Sequence, residues 1–245
     1  MKDNFSRQSN DYAKFRPHYP KELFDFLIPL VPEHQVAWDV ATGNGQVANA
    51  LADYFEEVKA TDISANQLKH AIQKTNIKYS VEPAEHSSFA DSTFDLITVA
   101  QAIHWFQFDA FYREVRRTLK PHGIIAVIGY PLFTIDNIID EIILHFYSET
   151  LHNCWDPERK YLDEMYSTIP FPFPEIKTPD FSMTYEWTLD ELIGFLKTWS
   201  AVQHYMSKHH ENPVDLVRKD LTAIWKNNEK KPAHFPVILR VGRNT

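Results

Sequence analysis

Cysteine is nearly absent: Cys154 stands alone among 245 residues, which rules out an internal disulfide framework and a cysteine-rich zinc site. Basic residues are outnumbered, 25 Lys and Arg against 33 Asp and Glu, for a formal net charge of −8. That balance argues against a non-specific nucleic-acid binder, which displaces counterions with a basic face, while leaving room for a local basic patch; no nucleic-acid partner is expected. No apolar run reaches the roughly 18 residues of a spanning helix, so no membrane partner is expected. The opening MKDNFSRQSN lacks the apolar stretch of a signal peptide, so a cytoplasmic location is expected. Twelve histidines include no HExxH spacing, and His209–His210 reads as a polar turn; no metal site is expected. Glycine is scarce, six in all, yet Gly43 and Gly45 lie two residues apart. A chain so sparing with glycine places those two where a side chain would obstruct.

What is present is a folding pattern. About 44% apolar and 24% charged residues suit a globular chain, long enough for one α/β domain with an insertion. Strand-like segments at 36–41, 57–63, 77–82, 94–101 and 123–130 alternate with helix-like segments at 45–55, 64–75 and 108–120. A helix over 20–31 precedes them, with Pro20 at its first position. Ser64 and Gln67 form a capping-box pattern. Such alternation predicts a parallel sheet with helices on both faces. After residue 130 the pattern changes to a helical stretch over 134–168 and a connector, IPFPFPEIKTPDF, too rich in proline for helix or central strand. A strand at 181–187, helices at 188–199 and 214–226 and a strand at 235–243 complete the chain. Arg113, Arg116 and Arg117 are expected on a solvated helix face.

The strongest local signal is WDVATGNGQVA, residues 38–48. A strand, a tight glycine turn and a helix start leave free N–H groups facing a ligand. Asp62, at the end of the next strand, suits hydrogen bonding to ribose hydroxyls. Asp39 then chooses between nucleosides. Its carboxylate at the mouth of the loop would repel a pyrophosphate by several kcal/mol at an effective dielectric of about 20. It would attract an ammonium group, as on the amino-acid tail of S-adenosylmethionine. No Lys or Arg lies between 36 and 58 to hold a phosphate.

These motifs resemble the class I S-adenosylmethionine-dependent methyltransferases. DVATGNGQ, from Asp39 to Gln46, is similar to their first motif, with Ala41 in place of the first glycine; TDIS, with Asp62 and Ile63, is similar to the second. AEHSSFADSTFDLITVAQAIHWF, 84–106, and RRTLKPHGIIAVIGY, 116–130, are similar to the rest. YAKFRPHYP (12–20), the HWF triplet and LKTWSAVQHY (196–205) resemble the trans-aconitate methyltransferase-like branch of the type 11 methyltransferases. The resemblance implies a seven-stranded sheet in the order 3-2-1-4-5-7-6 with strand 7 antiparallel, and a small-molecule acceptor, carboxylic acids being what members of that branch esterify. It places Asp39, Ala41, Gly43, Gly45, Gln46, Asp62, Ile63, Ala84, Glu85 and Gln101 around the cofactor, with Ala84 and Glu85 at the adenine and Gln101 beneath the sulfonium.

One domain is expected over 1–245: an N-terminal lid and helix (1–33), a cofactor-binding half (34–130), a helical insertion with its connector (131–180) and C-terminal strands and helices (181–245). Phe5, Tyr12, Phe15 and Tyr19 are expected to cover the cleft, with Tyr12 and Tyr19 over the cofactor and Arg16 near the acceptor. His104 follows the fourth strand and is a candidate base; the alternative is a structural corner with Trp105 and Phe106. Trp105, Trp155, Trp199 and His204 are candidates for the acceptor pocket. A monomer or weak dimer is expected. Two competing functions share the glycine loop: a nicotinamide-dependent oxidoreductase, and a cofactor-binding protein without turnover.

Overall fold

The computed structural model describes residues 15–226 and 228–245. Helix α1 (Lys21–Leu27) buries Leu23, Phe24 and Leu27, with Pro20 one place earlier than expected, at its cap. Strands β1 (Val36–Val40), β2 (Glu57–Asp62), β3 (Ile77–Val81), β4 (Phe94–Ala100) and β5 (Leu119–Gly129) pair in parallel in the order 3-2-1-4-5. Helices α2 (Gln46–Leu51), α3 (Ala65–Lys69) and α4 (Phe108–Thr118) connect them. Helix α3 starts at the expected cap, where Ser64 Oγ accepts from Gln67 N–H, but stops well short of residue 75.

The later part holds α5 (Asn137–His145), α6 (Lys160–Asp163), β6 (Glu175–Ile176), β7 (Phe181–Trp187), α7 (Leu189–Lys197), α8 (Ser200–His209), α9 (Val214–Thr222) and β8 (Lys231–Arg243). Strand β8 runs antiparallel to β5. Its first half pairs with β7, and β6 pairs with Val241 and Gly242 on the edge opposite β5. The expected order is therefore present, its outermost strand divided in two by the proline-rich connector. The helix α8 was not legible in the residue pattern, and His209 closes it instead of lying in a turn; His210 follows in the left-handed region at φ +58°.

Alternation along the strands sends side chains to two apolar layers. Ala37, Ala60, Leu96, Ile124, Ala126 and Ile128 pack with α1, α2 and the late helices. Trp38, Val40, Ile97, Val99, Ile125 and Val127 pack with α4 and the segment around Tyr166. Burial of both faces explains why the strands read as near-continuous apolar runs. Of the α4 arginines, Arg113 and Arg116 are exposed, as expected, and Arg117 is partly buried. Arg117 binds Glu114 (2.6 Å), Asp91 (2.8 Å) and the Phe89 carbonyl (2.7 Å), and Arg116 donates to the Pro172 carbonyl with its guanidinium over the Phe173 ring. They fasten loops to the helix.

Candidate active site

The carboxyl ends of β1, β2 and β4 meet where parallel strands leave a crevice. Asp39, second to last in β1, is buried at 1% exposure. Its Oδ2 accepts from Ala48 N–H at 3.1 Å and from the Thr42 hydroxyl, and its Oδ1 accepts from the Thr98 hydroxyl at 2.8 Å. One carboxylate thus joins the loop, the first turn of α2 and β4. Burial pushes its pKa up to about 6, against the lowering effect of these donors. Asp62 Oδ2 accepts from Gly43 N–H (2.9 Å) and Oδ1 from Ser64 N–H (2.8 Å), so it braces two turns at once.

The loop between them has left-handed residues at Ala41 (φ +52°), Gly43 (+57°) and Gly45 (+82°). At Gly45 an added Cβ would come within 2.3 Å of the Tyr79 hydroxyl. At Gly43 it would meet nothing within 4 Å, so the space above that backbone is open to a ligand. Asp39, Ala41, Gly43, Gln46, Gln101, Arg16 and Tyr19 all line the resulting cavity. Two buried polar atoms here, Gln46 Nε2 and Gln101 Oε1, have no partner among the described residues. A donor and an acceptor left over in this cleft fit a polar nucleoside cofactor with an amino-acid tail. Gln101 itself is left-handed at φ +53°, held by its N–H to the Ile128 carbonyl and its Nε2 to the Tyr130 carbonyl. Such conformations cluster at sites that must hold a side chain in place.

Ile63, Ala84 and Glu85 lie outside that cavity. Ile63 follows Asp62 directly, and the Glu82 N–H donates to the Asp62 carbonyl, which brings the chain after β3 beside the end of β2. Ala84 is buried, and Glu85 accepts from the Gln107 N–H at the start of α4. Tyr12 and Phe5 lie outside the described residues. The described end of the expected lid is pinned. Arg16 donates to the Tyr130 hydroxyl and the Thr198 carbonyl, both at 3.2 Å, and the Tyr185 hydroxyl bonds both His18 N–H and His18 carbonyl. In this structure residues 16 and 18 are thus bonded to Tyr130, Tyr185 and Thr198.

A second cavity lies beyond Gln101, lined by Arg16, Gln101, His104, Trp105, Trp155, Asp156, Arg159, Leu162, Trp199 and Ser200. It unites five of the expected acceptor residues: Arg16, His104, Trp105, Trp155 and Trp199. His204 is not among them; its Nδ1 bonds the Cys154 carbonyl at 2.9 Å and lies 3.8 Å from the lining residue Asp156. Arg159 escaped the sequence reading. Its guanidinium lies 4.9 Å from the centre of the Trp155 ring and donates to the Tyr147 hydroxyl. No local pattern marks it, because its partners are brought together by the fold. His104 is buried at 5% exposure, its Nδ1 lies 2.9 Å from the Tyr166 hydroxyl, and it packs against Trp105. Burial first, and the charge of Arg159 second, press its pKa down to about 3. An imidazole so weakly basic is poorly placed to be a general base near neutral pH. The corner with Trp105 is real, and the same residue also faces the cavity.

A methyltransferase domain family matches residues 38–127. A Dictyostelium discoideum protein named as a methyltransferase is 31% identical over 245 residues, covering 97% of this chain and 93% of that protein. The chain belongs to the class I S-adenosylmethionine-dependent methyltransferases. The solved structure of a type II methyltransferase from Anaeromyxobacter dehalogenans is similar at 34% identity and a TM-score of 0.85, covering 94% of this chain and 98% of that one. A Bacillus halodurans methyltransferase structure, at 19% identity and a TM-score of 0.54, shares the fold. This methyltransferase therefore uses S-adenosylmethionine, which sets aside the oxidoreductase reading. Among its described residues no helix is long and apolar enough to cross a membrane. Nor do three metal-ligating side chains converge among them.

Proposed function

We propose that this methyltransferase esterifies a small carboxylic acid seated in the cavity beyond Gln101. The reading rests on one observation: Arg16 and Gln101 line both cavities, so the occupants of the two lie side by side. On the acceptor side two guanidinium groups, Arg16 and Arg159, face tryptophan walls, with Asp156 the one carboxylate in the lining. Such a pocket favours an anion with an apolar body. A carboxylate is already ionised at neutral pH and needs no base, which agrees with the weak basicity of His104.

On the cofactor side, Gly43, Gly45, Gln46 and Gln101 would hold the methionyl part, Asp39 its ammonium, and Asp62, Ile63, Ala84 and Glu85 the adenosine. Bound S-adenosylmethionine supplies a methyl carbon on a positively charged sulfur, open to in-line displacement. The protein's contribution is alignment, which reaches about 7–11 kcal/mol in favourable systems. Trp155 and Trp199 exclude water, and a water-poor site favours a step in which charge disappears. The test is methyl transfer from labelled S-adenosylmethionine to a panel of small mono- and dicarboxylic acids, amines and phenols. Base-labile methyl esters are expected from acids. Transfer to amines or phenols alone would overturn the reading.

A further inference from the structure

The contact between His104 and Tyr166 has a direction, and burial decides it. Tyr166 has no solvent exposure, and among the described residues its hydroxyl bonds only His104 Nδ1, at 2.9 Å. A neutral imidazole carries a single N–H. If that proton sat on Nδ1, the phenol hydrogen would be buried without an acceptor, at the full desolvation cost of an unmade bond. With the proton on Nε2, the phenol donates to the bare Nδ1 and both groups are satisfied. Burial keeps the imidazole neutral and pushes the phenol well above its ordinary pKa, so each retains the form this arrangement needs. Nε2 has no hydrogen-bond partner among the described residues, and His104 lines the acceptor cavity with Arg16 and Arg159.

Tyr166 is held in place against a backbone cost. Met165 and Tyr166 are both left-handed at φ +55°. The Tyr166 N–H donates to the Tyr161 carbonyl at 2.7 Å, and its own carbonyl accepts from Arg240 Nη1 at 3.0 Å. Its ring fills the recess over Gly129, where a Cβ would lie 2.7 Å from Tyr166 Cε2. Consecutive left-handed residues without glycine persist only where the surroundings impose them.

We propose that Tyr166 is a positioning residue that locks His104 as the Nε2–H tautomer, so that His104 donates a hydrogen bond to an acceptor oxygen instead of removing a proton. This rests on the reading of the cavity as the acceptor site. Three donors, from Arg16, Arg159 and His104, then surround the acceptor. They select ionised oxygen and turn away ammonium groups, for which the lining offers only Asp156.

The wild-type protein, labelled with 15N-histidine, tests this by long-range proton–nitrogen correlation, with His104→Gln identifying the His104 signals. The Nε2–H pattern is expected near neutral pH; an Nδ1–H pattern would overturn the proposal. Acetate, titrated in the presence of demethylated cofactor, should move the Nε2–H resonance, and an unmoved resonance would remove the donor role. Tyr166→Phe keeps the ring over Gly129, should admit the second tautomer and should weaken acetate binding roughly tenfold, the weight of one charge-assisted hydrogen bond. If Tyr166→Phe does not fold, the wild-type spectrum and titration still decide. An intact Nε2–H pattern that responds to acetate, combined with no methyl transfer to any acid, would sink the acceptor reading and leave the tautomer assignment standing.

Discussion

The two cavities of this methyltransferase adjoin but are built differently. The cofactor cleft is lined mainly by short stretches at the ends of neighbouring parallel strands, and its two carboxylates each bond backbone N–H groups within residues 39–64, Asp39 that of Ala48 and Asp62 those of Gly43 and Ser64. The acceptor cavity gathers residues from 16 to 200, and Arg16 reaches across 182 positions to the Thr198 carbonyl. Local bonding makes the first cleft a motif. Distant bonding makes the second a product of packing, able to change acceptor without disturbing the first.

The sharpest way to break that contrast is at Asp39. Its folded pKa of about 6 lies above its ordinary 3.8, so the native state holds the proton more tightly than the unfolded chain. Stability of the ligand-free protein should therefore fall by about 3 kcal/mol as pH rises from about 4 to about 6, and stay level above. Asp39→Asn should abolish that slope in thermal melts. At pH 7.5 it should weaken S-adenosylmethionine by about 1.5–3 kcal/mol while sparing plain adenosine, which has no ammonium. Equal losses for both ligands by calorimetry would mean that Asp39 acts only by shaping the loop.

Asp62→Ala comes next. It should cost about 1.5–3 kcal/mol of cofactor affinity through lost ribose bonds. Because Asp62 also braces the Gly43 and Ser64 N–H groups, the melting temperature should fall as well, by the equivalent of about 1–3 kcal/mol. An unchanged melt would show that those braces carry no weight.

Arg159→Gln probes the other cavity. The acceptor KM should rise about tenfold, one charge-assisted hydrogen bond, while calorimetric cofactor affinity stays as it was, since Arg159 lines only the acceptor side. A matching loss of cofactor affinity would show that the two cavities are energetically one. The smallest effect is expected at Ala41, where alanine stands at φ +52°. Ala41→Gly should raise stability by about 0.5–1 kcal/mol in denaturant unfolding, by relieving left-handed strain. No gain would mean that the loop already relaxes around the methyl group.

Much of the cofactor cleft was legible because strand, turn and helix follow one another within WDVATGNGQVA, and the left-handed turns at Gly43 and Gly45 are written in residue type. Ala41 and Gln101 were less legible, since nothing about alanine or glutamine announces a positive φ. Helix α8 went unread because Ser200–His209 buries only Ala201 and Val202, too few for an apolar stripe. His204 sits beside the acceptor cavity rather than in its lining, with Nδ1 2.9 Å from the Cys154 carbonyl and 3.8 Å from Asp156, a relation that no local pattern in the sequence could give.

The sequence by itself determined the alternation of strands and helices, the glycine loop and the two carboxylates beside it, because each depends on neighbours along the chain. Tertiary structure alone decided the protonation of Asp39 and His104, the placing of Arg16 and Arg159 in one cavity lining and the burial of Tyr166 against Gly129. Those depend on dielectric and distance between segments that only the folded sheet and its late helices bring together.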